Sequence, residues 1–314
     1  NMKGIALVIV LVILALMTIM ITWLSDELLI SIRRTSNLME MEQAYQMAIG
    51  SEQWGVSILR KDREETNTDH SGESWNDLGA GVPVDEGALQ TQIVDLQGRF
   101  NLNNLFEEVA IRADNPGQEN VARNWIPAFR RLLNVLELNE GLTDAVLDWI
   151  DSDQNVRGSF GAEDGEYLNE NPPYRAANRM FTDVSELLWV KGFNQEEIEK
   201  LAPFVTALPA TGVGININTA PAPLMRILGK TLLSEGEASV LIEGRDEDTG
   251  YTINEFLDHD MMAGEQDVAS GLVADTSDYF SILSSAQYGK ANLRLESVIK
   301  RDEETIVISR KRIY

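Results

Sequence analysis

The strongest pattern in this chain is at its start. Ile5 to Leu24 is an unbroken apolar run with no charge, Pro or Gly; its only polar side chains are Thr18, Thr22 and the Trp23 indole. At about 1.5 Å per residue, a helix of this length spans about 30 Å, the thickness of a bilayer core. Trp23 ends the run, where an interfacial aromatic belongs. A cleaved secretory signal has a shorter apolar core and a small-x-small cleavage site, and Thr22-Trp23-Leu24-Ser25-Asp26 offers no such site. Basic residues do not fix the orientation, because Lys3 precedes the span while Arg33 and Arg34 follow it.

Beyond the span, apolar residues recur at Leu28, Ile32, Leu38, Met39, Tyr45, Ala48, Ile49, Val56 and Leu59. Spacings of three, four and seven place them along one helix face. No proline intervenes before Pro83. The pattern predicts one helix from Ile5 to about Arg60, leaving the bilayer and packing its outer half on a soluble domain. Residues 62–88 are polar and Gly-rich and predict an exposed loop. Ile93, Val94, Leu96 and Phe100 mark a strand within Gln90 to Leu102. Residues 104–275 read as mainly helical, with helices at Leu142 to Ile150, Ala222 to Leu228 and Glu235 to Glu243. Tyr279 to Gln287, Ala291 to Lys300 and Thr305 to Ile313 predict three strands, with turns at Tyr288-Gly289-Lys290 and Arg301-Asp302-Glu303-Glu304. The layout is α+β: a transmembrane helix at 5–24, its continuation at 25–62, an α/β core with an antiparallel sheet from 63–103 and 276–314, and an inserted all-α domain at 104–275. No internal repeat is present.

Composition narrows the function. The 314 residues carry 26 Lys and Arg against 50 Asp and Glu, a net charge of −24. Such a surface repels nucleic-acid phosphates, so no nucleic-acid partner is expected. There is no cysteine, which excludes disulfides, cysteine zinc sites, iron–sulfur clusters and thiol nucleophiles. His70 and His259 are the only histidines, and both read as surface residues. Trp54, Trp75, Trp125, Trp149 and Trp189 read as core.

Asp151-Ser152-Asp153-Gln154-Asn155 follows the helix expected at Leu142 to Ile150. Oxygen side chains at alternate loop positions converge on a hard cation, and Glu163 and Asp164 stand close behind. The loop is not an EF-hand: Val156 stands where that motif has Gly, and Ala162 where it has Glu. From spacing alone, a cation loop and a solvated acidic loop fit equally. Asp246-Glu247-Asp248-Thr249-Gly250 reads as a turn. Residues 213–258 resemble a helix-hairpin-helix, a SAM-like module, but hold eight acidic residues against three basic ones. That balance opposes a grip on phosphates and favours a structural module. Gly229-Lys230-Thr231 lacks the first glycine of a phosphate loop, since position 224 is Leu224.

Lys3-Gly4 before Ile5-Ala6-Leu7-Val8-Ile9 resembles the leader junction of a type IV prepilin or pseudopilin. The resemblance implies cleavage after Gly4 by a prepilin peptidase, methylation of the new amino terminus at Ile5, and a truncated start to the leader remnant 1–4. Most of that family carry Glu at the fifth mature position, where this chain has Ile9. A more specific set follows. Asp95-Leu96-Gln97-Gly98-Arg99-Phe100-Asn101-Leu102-Asn103-Asn104-Leu105, Gln43-Ala44, Glu52, Asp148-Trp149-Ile150-Asp151-Ser152-Asp153, Gly161-Ala162-Glu163-Asp164, Tyr167, Pro173-Tyr174, Ala177-Asn178, Ser185-Glu186-Leu187 and Ile217-Asn218-Thr219-Ala220-Pro221 resemble the general secretion pathway protein K family. That family consists of minor pseudopilins of the type II secretion system. The resemblance implies a pilin-like core with a helical insert and a periplasmic, non-enzymatic protein anchored in the bacterial inner membrane. It also implies a place at the tip of the pseudopilus beside other minor pseudopilins. It further implies calcium bound in the helical domain, with Asp151, Asp153, Asn155, Glu163, Asp164 and Asn178 as candidate ligands. The rival expectation is a membrane-anchored periplasmic hydrolase acting through paired carboxylates.

Overall fold

The computed structural model describes residues 2–78, 81–84, 87–106, 124–302 and 305–314. Asn1, residues 107–123 of the insert, and Glu303 and Glu304 of the expected turn lie outside the described residues. Helix α1, Met2–Glu65, is a single element of 64 residues and about 95 Å. The predicted continuity holds, and the helix runs one turn further than expected. Its apolar stripe does not all pack. Leu28, Ile32, Leu38 and Met39 are exposed, and burial begins only at Ala44.

From Ala44 onward α1 lies on one face of a five-stranded sheet. The strands are β1 (Val82–Val84), β2 (Gly87–Asp95), β7 (Tyr279–Tyr288), β8 (Ala291–Arg301) and β9 (Ile306–Ile313), antiparallel in the order β1-β2-β7-β8-β9. Small residues let helix and sheet approach closely. Ala44 and Ala48 pack on Ala286, Leu293 and Leu295. A Cβ at Gly55 would come within 2.9 Å of Ile282. Leu59 completes the contact among Trp75, Ile93, Phe280, Ile282 and Ile299. Polar groups in the seam are paired: Ser51 Oγ lies 2.6 Å from Thr91 Oγ1 and donates to Ser284 Oγ, while buried Glu52 accepts from Ser297 and Lys311.

The insert holds helices α2 (Trp125–Val135), α3 (Leu142–Ile150), α4 (Asp164–Tyr167), α5 (Gln195–Leu201), α6 (Ala222–Met225), α7 (Glu235–Glu243), α8 (Ile253–Leu257) and α9 (Gln266–Ala269). It is not all-α. Short strands β4 (Val205–Thr206), β5 (Ile215–Asn216) and β6 (Val273–Ala274) interrupt it. β4 pairs in parallel with β3 (Phe100–Asn101), and β5 pairs in parallel with β6. The strand expected over Gln90 to Leu102 is therefore two strands. Only Gly87–Asp95 joins the main sheet, and Phe100–Asn101 belongs to the insert. The helix expected at Ala222 to Leu228 is one turn ending at Met225.

The motif Asp95–Leu105 joins core to insert by side chains that imitate backbone. Asn101 donates to Ala210 O and accepts from Leu208 N; Asn103 donates to Leu208 O and Phe181 O; Asn104 donates to Val213 O and accepts from Val213 N. Each amide satisfies loop groups that no ladder reaches. Asp95 accepts from Asn216, Thr219 and Ser277.

The segment 62–88 is not an exposed loop. After α1 ends it buries Asp69, His70, Glu73 and Trp75. His70 is thus buried rather than on the surface. Trp75, Trp125 and Trp149 are core as expected, whereas Trp54 and Trp189 are 43% and 51% exposed. Arg301 organises the buried segment. It donates to Asp62 Oδ2 at 2.8 Å, to Leu59 O, to Ser277 O and to Asp69, and its guanidinium carbon lies 4.7 Å from the Phe280 ring centroid. Burial and the nearby Glu73 carboxylate push Asp62 up to about 7 against the pull of Arg301.

Arg301→Met leaves Asp69 as a buried carboxylate without its cation, and should cost about 3–5 kcal/mol in urea unfolding near neutral pH. Asp62→Asn removes a group already close to neutral and should cost less than about 2 kcal/mol. Equal costs would mean that Arg301 is not the centre of the network.

Candidate functional site

Helix α3 ends in two carboxylates. Asp148 lies in its last turn and Asp151 caps it, and the backbone N of Asp151 donates to Leu147 O. This is the negative end of the helix, where carboxylates are disfavoured and a cation is favoured. The chain then turns back through residues 152–162 and delivers Glu163 at the start of α4. The turn is tight. A Cβ at Gly161 would lie 2.3 Å from both Arg157 O and Asp148 Oδ2, so only glycine fits. Asp148, Asp151 and Glu163 are 0%, 4% and 4% exposed. Each offers an oxygen within 4.8 Å of the others'. Trp149 and Tyr167 stack edge to face at 5.2 Å beside them.

The oxygens divide into two sets. Asp148 Oδ2 accepts from Arg157 N at 3.0 Å, and Asp151 Oδ2 accepts from Arg157 Nη2 at 2.7 Å and Nε at 3.2 Å. Asp148 Oδ1, Asp151 Oδ1 and both Glu163 oxygens are buried and accept no hydrogen bond among the described residues, although Asp148 Oδ1 lies 3.3 Å from Arg157 Nε. Leaving such atoms unsatisfied is costly. One oxygen from each of three carboxylates, all within 4.8 Å of one another, match the donors and spacing around a hard divalent ion with oxygen contacts near ~2.4 Å. Burial pushes the Asp148 carboxyl up to about 6. Burial, together with repulsion from Asp148 and Asp151, pushes Glu163 up to about 7. Burial raises Asp151 as well.

The family model for protein K of the type II secretion system matches in two parts, residues 98–210 and residues 215–275. The chain is 34% identical to the type II secretion system protein K of Pseudomonas aeruginosa, over 96% of this chain and 90% of that one. It is 33% identical to the protein of that name from Aeromonas hydrophila, over 99% and 96%. The chain belongs to the type II secretion system protein K family. A solved neighbour is the crystal structure of the GspK-GspI-GspJ complex from the type 2 secretion system of enterotoxigenic Escherichia coli. The TM-score is 0.76 at 24% identity, covering 90% of this chain and 99% of the matched chain. The protein K family is a minor pseudopilin component of the secretion system. No comparison supports a hydrolase.

Both family matches lie on the insert and its joint to the core, and the first contains the carboxylate cluster. Of the six candidate ligands, the fold brings together Asp151 and Glu163 and adds Asp148. Asp153 and Asn155 are exposed, and Asp153 Oδ1 accepts from Asn155 N in its own turn. Asp164 is engaged by Arg175 and Ala176 N. Asn178 is exposed, with its backbone N donating to Trp149 O. The signal for Asp148 was its place three residues before Asp151, on the same face of a helix end.

A carboxyl held above its unfolded value favours the folded chain only while protonated. Without a cation, that stability is full below about pH 4 and is lost as pH rises through about 6 and 7. A bound divalent cation displaces those protons. In EDTA, the melting temperature of the full chain in detergent should fall from about pH 5 to about pH 8, and the rise produced by calcium should grow over the same range. A calcium increment independent of pH would contradict this. Gly161→Ala should abolish the increment by forcing Asp148 aside.

Proposed function

We propose that this chain caps the tip of the type II secretion pseudopilus, initiating or regulating its assembly for protein export across the outer membrane. It crosses the inner membrane once through Ile5 to Leu24 and holds its folded domain in the periplasm. In this reading a prepilin peptidase cuts after Gly4, and the amine of Ile5 is methylated. The observation that carries the tip placement is Ile9. In a pseudopilin filament, the fifth mature residue supplies a carboxylate to the amine of a neighbouring subunit. An isoleucine offers none, and an intramembrane carboxylate is too costly to be incidental where it occurs. A subunit without this acceptor suits the one position with nothing above it. The bulk of the insert points the same way, because it exceeds what a regular filament lattice admits.

The helix supports the reading further. Leu28, Leu29, Ile30, Ile32, Leu38, Met39 and Met41 are exposed beyond the span. Apolar surface of that extent is covered by partners in an assembled state. Other minor pseudopilins are the partners of this stripe, in keeping with the GspK-GspI-GspJ complex of the E. coli neighbour.

The cation site is structural in this proposal. Calcium held by Asp148, Asp151 and Glu163 would tie the end of α3 to the start of α4, stabilising the insert by binding its folded state. Residues 213–258 are a structural hairpin rather than a grip on nucleic acid: Arg245 donates to Ala220 O, and Asn218 pairs with the backbone of Tyr251.

The absence of cysteine allows a direct test. Exposed Ser270 on the insert, changed to cysteine and labelled with maleimide gold, should mark one end of overproduced pseudopili. Label distributed along their length would refute tip capping. Mass spectrometry of the same protein from membranes should find a methylated amino terminus at Ile5, and an uncut Gly4–Ile5 bond would remove the processing step.

A further inference from the structure

We propose that Arg157 is the positioning residue of the carboxylate site and matches its charge to a divalent cation. This inference rests on the cation reading above. Arg157 takes the outer oxygen of both aspartates: its backbone N donates to Asp148 Oδ2, and its guanidinium donates twice to Asp151 Oδ2. Each aspartate is thereby turned so that its other oxygen, Oδ1, like both oxygens of Glu163, accepts no hydrogen bond among the described residues, and each of the three carboxylates brings an oxygen within 4.8 Å of the others'. The planar fork holds this orientation in a way that an ammonium point charge does not. Among the described residues, the other basic side chains around the site are engaged elsewhere, Arg175 with Asp164, Arg130 with Asp144 and Lys191 with Glu166. Arg157 is therefore the cation that offsets one of the three carboxylates and leaves two negative charges for the ion to neutralise.

An opposite role is imaginable from the same geometry. Arg157 Nε lies 3.3 Å from Asp148 Oδ1, close enough for its charge to repel an incoming ion. The two roles differ in sign. If Arg157 competes with the ion, removing it tightens binding. If it positions the ligands, removing it weakens binding although the site becomes more negative.

Calorimetric titration of calcium into the EDTA-stripped full chain in detergent separates these cases. Glu163→Gln tests the site itself and should weaken calcium binding by about 100-fold or more; no calcium binding by the unaltered chain ends both readings. Arg157→Gln should weaken binding about 10- to 100-fold, the usual effect of losing an outer partner of a metal ligand. Arg157→Lys keeps the charge without the fork and should fail to restore it. Tighter binding in Arg157→Gln, or full affinity in Arg157→Lys, overturns the positioning role. Terbium binding, measured by luminescence, should gain on calcium in Arg157→Gln, because the site then carries one more negative charge; an unchanged terbium-to-calcium ratio overturns the charge matching. Circular dichroism of the stripped variants confirms that each remains folded.

Discussion

Arg301 ties together three parts of the chain that would otherwise meet only through apolar contact. It stands at the end of β8, holds Asp62 in the last turn of α1, and holds Asp69 in the segment that follows. Asp69 in turn accepts from Ser277 N, and its carbonyl accepts from Asn216 of the insert. Asn216 reaches on to Asp95 and Ser277. A buried charge network of this kind is weak evidence for net stability, because desolvation opposes the Coulomb gain. Its contribution is geometric. Each member fixes the others, so the long helix, the sheet and the base of the insert have one mutual arrangement. That rigidity carries the orientation of the long helix to the insert.

The elements easiest to read were those whose partners are local or periodic. The continuity of α1, the β7 to β9 meander and the Leu142–Ile150 helix follow from the sequence pattern, because helix and strand periods are imposed by the backbone. The segment 62–88 misled for a physical reason. Its polarity is real, but Asp69, His70 and Glu73 are buried by pairing with one another and with Arg301, a residue more than two hundred positions away. Composition cannot distinguish a solvated polar loop from one whose polar groups are satisfied internally. The split of the strand at Asp95 has a similar origin. Phe100 and Asn101 look like strand residues and are strand residues, but their partners, Val205 and Thr206, lie in the insert.

The carboxylate site was half legible. Alternation along Asp151, Asp153 and Asn155 suggested a loop that wraps an ion, yet the fold uses the end of a helix and a returning segment. Asp148 was hidden in a helix because helical carboxylates are usually solvated. What distinguishes it is the closeness of Gly161, which lets the returning chain cover it, and that is a tertiary fact. Glu163 was found for a simpler reason: it sits where the chain must come back.

The two ends of the molecule pose opposite physical problems. The folded domain buries charge and must neutralise it, with Arg157 in the insert and Arg301 in the core each facing more carboxylates than one guanidinium offsets. The helix exposes apolar surface and must cover it. A bilayer core would cover about 30 Å of the helix, yet exposed apolar side chains run from Ile5 to Met41, about 54 Å of helix rise. The excess, about 25 Å, ends just short of Ala44, the first buried residue of α1. No described part of this chain covers it. A monomer would leave that surface, Leu28 to Met41, in water, and the proposed contact with other minor pseudopilins rests on this exposure.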